Sequence, residues 1–252
     1  MKRSVKITLI LLGAAVVVAM VVAANLWRSG MQVRGIDVSI RYGHSPELVG
    51  QQVVRDTVLS VMPTLLRQQV KAVDCKAVAE AAARVPYLTE VDATVSVSGR
   101  VVVRAAQRRP IARIFYGDQE VYVDREGRLF PASNLGNCEV LVAGGDFVRP
   151  LRRLDTLYSQ TEALWRVASF LDDNADYALL VGQLFVERDG DILIVPRLGD
   201  QIVELGAPED LEKKFSNLLT FYRKGMPRAG WDTYSKISLK FRGQVVCTKK
   251  MN

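Results

Sequence analysis

The sequence predicts an α+β fold in two parts, placed behind a single apolar segment. Three observations carry that reading. An uncharged run spans residues 7–27. Residues 28–107 then alternate period-two and helical patterns in the order strand, helix, helix, strand, strand. From 108 to 252 short alternating stretches dominate, interrupted by two or more longer helical patterns.

The apolar run comes first. Ile7–Leu12 and Val16–Val22 are almost wholly aliphatic. A helix rising about 1.5 Å per residue crosses a bilayer core of roughly 30 Å over such a run. Lys2, Arg3 and Lys6 precede it, and Trp27 and Arg28 come after it. The basic flank predicts a cytoplasmic tail at 1–6, a transmembrane helix at 7–27 and an exported remainder in the periplasm. A cleaved signal peptide is the alternative, because Val22-Ala23-Ala24 resembles a cleavage site, although the run is longer than a signal core. Either way the charge argument changes. The chain carries +7 overall, which by itself suggests an anionic partner, yet Lys2, Arg3, Lys6 and Arg28 hold more than half of it. The rest is only mildly basic, and nucleic-acid binding loses its support.

In the first exported part Ile36, Val38, Ile40 and Tyr42 alternate with polar residues, which predicts a strand. Val54, Val58, Val61 and Met62 fall on one face of a helix from about Gln51 to Met62, stopped by Pro63. Asp74 is the expected N-cap of a second helix reaching Arg84, with Val78, Ala81 and Ala82 on its buried face. Val91, Ala93, Val95 and Val97, then Val101, Val103 and Ala105, predict a hairpin turned by the two residues Ser98-Gly99.

Gln107-Arg108-Arg109-Pro110 marks the boundary. Beyond it a strand-rich meander is expected: Ile111–Tyr116, Val121–Val123, Leu129-Phe130 and Val140–Val142, the last ended by Gly144-Gly145. A helix is expected over Leu154–Leu171, and a hairpin over Leu179–Val195 with a type I′ turn at Asp189-Gly190. Pro208 is expected at the first position of a helix bearing Leu211, Phe215, Leu218 and Tyr222, with Gly225 just past its end. Ile237, Leu239 and Phe241 alternate as a strand, Arg242-Gly243 turns, and Gln244–Thr248 forms the terminal strand.

The residue inventory points away from catalysis. No nucleophile elbow, phosphate-binding loop, dinucleotide fingerprint or zinc-protease motif is present. His44, the sole histidine, comes after Gly43 in an expected loop and reads as a surface residue. Asp172, Asp173 and Asp176 read as a solvated helix end, and Glu187, Asp189 and Asp191 as turn chemistry. Tyr222–Lys224 and Trp231–Tyr234 read as a helix end and a packed corner rather than an aromatic-basic binding face. Cys75, Cys138 and Cys247 match no zinc spacing and read as small buried residues, with one disulfide as the alternative. Catalytic, cofactor and metal sites are therefore all expected to be absent. What remains are contact surfaces. A terminal strand can lack a neighbour on one side, and its free N–H and C=O groups then accept an added strand.

Several stretches resemble the FtsQ/DivIB family of bacterial cell-division proteins, most like its Bacteroidetes-type members. Val73-Asp74-Cys75 with Pro86-Tyr87-Leu88 resembles the second helix and closing Pro-aromatic pair of that family's POTRA module. Arg108-Arg109-Pro110-Ile111-Ala112 resembles its boundary motif, although Gln107 stands where the family often has Glu. Val123-Asp124-Arg125-Glu126-Gly127-Arg128-Leu129-Phe130 resembles its Val-Asp-x-x-Gly-x-hydrophobic-Phe turn, and Ile237–Phe241 its penultimate strand.

The resemblance implies a POTRA domain at 28–107 and a β domain at 108–252. It implies a non-enzymatic scaffold of the divisome at the septum, which binds small single-pass partners of the FtsB/FtsL type and helps control septal peptidoglycan synthesis. Carried over residue by residue, the partner contact falls on Phe241, Gly243, Val245, Val246 and Cys247. The alternative is a POTRA-bearing module of an export or outer-membrane assembly system. A single unit and the lack of a barrel-like strand series speak against it.

Overall fold

The computed structural model describes residues 11–22, 30–133, 135–148 and 159–251. Residues 11–22 form helix α1, apolar and exposed along its length. No helix among the described residues is long and apolar enough to cross a membrane. The remainder of the expected 7–27 span, and the 1–6 tail, lie outside the described residues. The rest of the chain divides into two compact units, with the division between Arg108 and Arg109.

Unit 1 is built as its periodicities require. Strand β1 (Gly35–Arg41) buries Ile36, Val38 and Ile40 and exposes Ser39 and Arg41. Helix α2 (Gln51–Val61) turns Val54 and Val58 inward. Two single 3₁₀ turns, Leu65–Arg67 and Val70–Ala72, lead to helix α3 (Cys75–Ala82). The Asp74 carboxylate caps α3 by accepting from the Lys76 and Ala77 amides, at 2.9 and 3.1 Å. Strands β2 (Leu88–Val95) and β3 (Arg100–Gln107) complete a sheet of order β1-β3-β2, with β1 parallel to β3. Val78, Ala81 and Ala82 of α3 pack with Val101 and Val103 of β3 in one core. Gln107 is buried, and its amide uses both ends. It accepts from the Leu48 N–H at 2.6 Å and donates to the Pro46 carbonyl at 2.9 Å, tying the β1–α2 loop to β3.

Unit 2 is a nine-stranded sheet. Its strands are β4 (Pro110–Tyr116), β5 (Gln119–Asp124), β6 (Leu129–Pro131), β7 (Leu141–Gly145), β8 (Val181–Val186), β9 (Ile192–Pro196), β10 (Ile202–Gly206), β11 (Tyr234–Ser238) and β12 (Val246–Lys249). They lie in the order β12-β11-β10-β9-β8-β7-β4-β5-β6. One register-linked row crosses eight of them: Val121, Ile114, Ala143, Leu184, Ile194, Val203, Ile237 and Cys247. This row and its neighbours pack with Leu164, Val167 and Leu171 of α4 (Ser159–Asp173) and with Phe215 and Leu218 of α6 (Leu211–Lys224). The short helices α5 (Ala175–Ala178) and α7 (Met226–Ala229) come directly after α4 and α6.

Several expectations need correction. The strands from β4 onward do not form a simple meander, because β4–β7, β7–β8 and β10–β11 are parallel pairs. Strand β10 has no counterpart among the expected strands. The hairpins expected to turn at Ser98-Gly99 and Asp189-Gly190 do not use two-residue turns, whereas β4–β5 does, at Gly117-Asp118. At Ser96, Asp124 and Glu187 the same loop recurs: the residue's N–H bonds the carbonyl four places on, and its carbonyl accepts from the amide three places on. Gly99, Gly127 and Gly190 occupy that third place with φ of +80°, +76° and +95°. This is a three-residue loop with a glycine bulge, and only one position in it needs the left-handed conformation, so Asp189 keeps an ordinary φ. Val97 consequently leaves the strand face and sits in the loop, 79% exposed. Gly144-Gly145 does not end β7 but lies within it, because a Cβ on Gly145 would collide with the Val186 carbonyl of β8. Pro208 stands before α6, whose N-cap is Asp210. Gly225 has right-handed backbone, and its lack of a side chain instead accommodates the Phe221 ring, which a Cβ would approach to 2.6 Å. The expected start of the Leu154–Leu171 helix lies outside the described residues.

Candidate functional site: the C-terminal sheet edge

The last strand pair begins earlier than the alternation of Ile237, Leu239 and Phe241 suggests. Strand β11 ends at Ser238. The Leu239 N–H still bonds the Glu204 carbonyl of β10 at 2.8 Å, after which the chain leaves the sheet. Lys240 folds over Gly206, where a Cβ would come within 2.8 Å of the lysine Cγ, and its ammonium meets the Asp191 carboxylate at 2.5 Å. That hydrogen bond holds the Lys240 pKa above its ordinary value. Arg242 and Gly243 make the expected turn, closed by the Gln244 N–H on the Phe241 carbonyl at 3.2 Å, with Gly243 at φ +74°.

Strand β12 then pairs antiparallel with β11 and stands at the end of the nine-stranded sheet. The five expected contact residues divide between the turn and the strand. Phe241 and Gly243 lie on the exposed turn, with Phe241 55% exposed. Val245 and Cys247 point to the core side and pack against it half-buried, while Val246 is turned outward. Cys247 is the last member of the buried row, and burial pushes its thiol pKa up. Thr248 and Lys249 finish the edge, both exposed.

Beside the turn lies a cleft of about 430 Å³. Its walls include Gly206, Asp210, Lys213, Lys214, Lys240 and Phe241. Lys214 donates to the Leu205 and Ala207 carbonyls at 2.8 and 2.7 Å, and burial lowers its pKa. Phe241 and Gly243 thus belong both to the strand-end turn and to this cleft. The Asp191–Lys240 link, which joins the β8–β9 loop to the same turn, is invisible in the sequence because nothing local connects residues so far apart.

The other charged clusters serve the fold. Asp172 binds both Arg109 and Arg125, and Asp173 binds Arg125, so this helix end is paired rather than merely solvated. Asp189 accepts from the Asp191 N–H at 3.1 Å, as a turn residue does. His44 is exposed. Trp231 packs edge-on against Tyr222 at 5.5 Å, a packed corner as expected. All three cysteines are free; Cys138 is buried, and Cys75 and Cys247 are half-buried.

A family model described as "FtsQ/DivIB, C-terminal related" matches residues 109–248, which is more than half of the chain and nearly all of unit 2. No curated protein matches the sequence. The match and the arrangement of unit 2 lead to one conclusion: the chain belongs to the FtsQ/DivIB family of bacterial cell-division proteins.

Proposed function

We propose that this chain is a non-enzymatic divisome scaffold that binds a partner of the FtsB/FtsL type by strand addition on β12. In this reading residues 7–27 anchor it in the inner membrane with the tail 1–6 cytoplasmic, 28–107 form a periplasmic POTRA domain, and 108–252 form the partner-binding β domain. The scaffold sits at the septum and helps control peptidoglycan synthesis there. The observation that supports the reading is the position of β12. It ends the sheet, and its outer side pairs with no other strand among the described residues. Backbone hydrogen bonds would supply affinity to any extended segment, and alternate side chains would supply selectivity. An added strand would set one side chain beside half-buried Cys247, continuing the core row, and the next beside exposed Val246. A shared membrane plane would raise the effective concentration of both proteins.

The test is co-purification of the full chain with an FtsB-like partner, set beside a truncation after Phe241 and the full-length variant Val246→Pro. Both alterations are expected to reduce recovery of the partner at least about tenfold, the loss expected when a docked strand forfeits its ladder bonds. Undiminished capture by the truncated chain would remove β12 from the contact.

A further inference from the structure

Besides β12, whose pairing is proposed above, three strands end the two sheets, and two of them are blunted. Strand β2 breaks register between Thr89 and Asp92, with Glu90 in a left-handed conformation at φ +50°. Strand β6 has three residues and closes on Pro131, which offers no N–H. These are the devices by which sheet edges resist pairing. Strand β1 carries none of them. Its ladder with β3 is unbroken over seven successive pairs, from Gly35↔Arg100 to Arg41↔Ala106. It contains no proline and no bulge, and its other side pairs with no strand among the described residues.

The residues of β1 also say what fits there. The apolar positions Ile36, Val38 and Ile40 are symmetric about Val38. In an antiparallel pairing of two copies about Val38, Ile36 lies opposite Ile40 and Val38 opposite itself, so apolar meets apolar on the helix-covered face. On the solvent face Asp37 lies opposite Ser39 and diagonal to Arg41 of the second copy, within reach of its long side chain. Parallel pairing would instead place Asp37 beside Asp37 and Arg41 beside Arg41. Asp37 is 49% and Arg41 73% exposed; within the chain they pair with Arg100 of β3 and Glu90 of β2, and the second copy adds a further partner to each.

From this arrangement we infer that the β1 edge is a homodimer contact, joining two copies antiparallel about Val38 into one six-stranded sheet with closed two-fold symmetry. The contact is separate from the β12 edge and does not depend on it.

The test uses the full chain in detergent at micromolar concentration. Directly opposed residues in an antiparallel pair have Cα atoms about 4.5–5.5 Å apart, within disulfide range. Differently tagged Asp37→Cys and Ser39→Cys copies should therefore cross-link to each other. Ser39→Cys alone, whose two copies are offset by two residues, should give far less, and Thr94→Cys on β2 no more than the native cysteines give. Mass photometry should show dimers for the native chain. Asp37→Arg should lower the dimer association constant by about tenfold through two repelled diagonals, and adding Arg41→Asp should restore it by reversing both charges. A native chain that stays monomeric, cross-links equal in all three arrangements, or a dimer indifferent to Asp37→Arg would each overturn the inference. Recovery on adding Arg41→Asp separates the charge effect from a folding defect.

Discussion

Replacing Gln107 by glutamate is a change of one atom, and the structure says what it costs. The side chain is 7% exposed and performs two opposite tasks, accepting from Leu48 and donating to Pro46. A carboxylate keeps the first and loses the second. The part-buried Pro46 carbonyl, on an otherwise exposed residue, is then left facing a charged oxygen of a buried side chain, and a hydrogen bond forfeited beside a buried charge costs about 1–3 kcal/mol. With a urea dependence of roughly 1–3 kcal/mol per molar, the midpoint for unit 1 should fall by about 1 M. Exchange of the Leu48 amide provides a local readout in the full chain. The pH dependence identifies the cause. Protonation returns an O–H donor to the site, so the folded carboxyl pKa rises above the unfolded value of about 4.3. The folded variant then binds the proton more tightly than the unfolded one. Its penalty is full above the raised value and fades as pH falls towards the unfolded one. Gln107→Leu, which has no proton to gain, should lose stability equally at every pH. A Gln107→Glu chain as stable as the native one at pH 7, or one whose deficit ignores pH, would refute the reasoning.

Two further perturbations test unit 2. Gly145→Ala forces a Cβ into the Val186 carbonyl of a parallel ladder that cannot yield without moving β8. It should destabilise unit 2 by about 3 kcal/mol in urea unfolding, and a neutral effect would contradict the packing described. The Lys236 ammonium, 2.7 Å from Glu204, holds that carboxyl below the usual glutamate range. A depressed folded pKa contributes stability above the unfolded value and loses it as pH falls through the folded one. Lys236→Met should therefore move the Glu204 NMR titration upward and reduce the acid-side loss of stability, and an unmoved titration would exclude the pair as its cause.

The sequence was most informative where a pattern is local. The alternation at Ile36–Ile40, the Asp74 cap and the apolar stripe of α6 each appear as read. Strand β10 did not announce itself. It is a five-residue run ending at Gly206, and it is held between β9 and a parallel partner, β11, that lies beyond a whole helix. Glycine was visible as punctuation, but its reason was not. At Gly99 and Gly190 a positive φ demands it, at Gly145 the closeness of Val186, and at Gly225 the Phe221 ring. At the candidate site, the turn at Arg242-Gly243 and a strand after it could be foreseen. The early exit of Phe241 from the sheet could not, because it results from Lys240 being drawn over Gly206 to Asp191.

The parallel pairing of β1 with β3 has a mechanical meaning. Gly35, where the chain enters the three-stranded sheet of unit 1, lies beside Arg100, the start of β3. The chain leaves at Gln107, the far end of that same neighbouring strand. Tension that reaches Gly35, past the bonds of Met31, Val33 and Arg34, and Gln107 therefore drags two adjacent strands past each other along their length. Their ladder is loaded in shear, with its hydrogen bonds sharing the force together, instead of being opened one bond at a time from an end. Unit 1 is wired as a link that resists stretching along its chain, whatever pulls on either side.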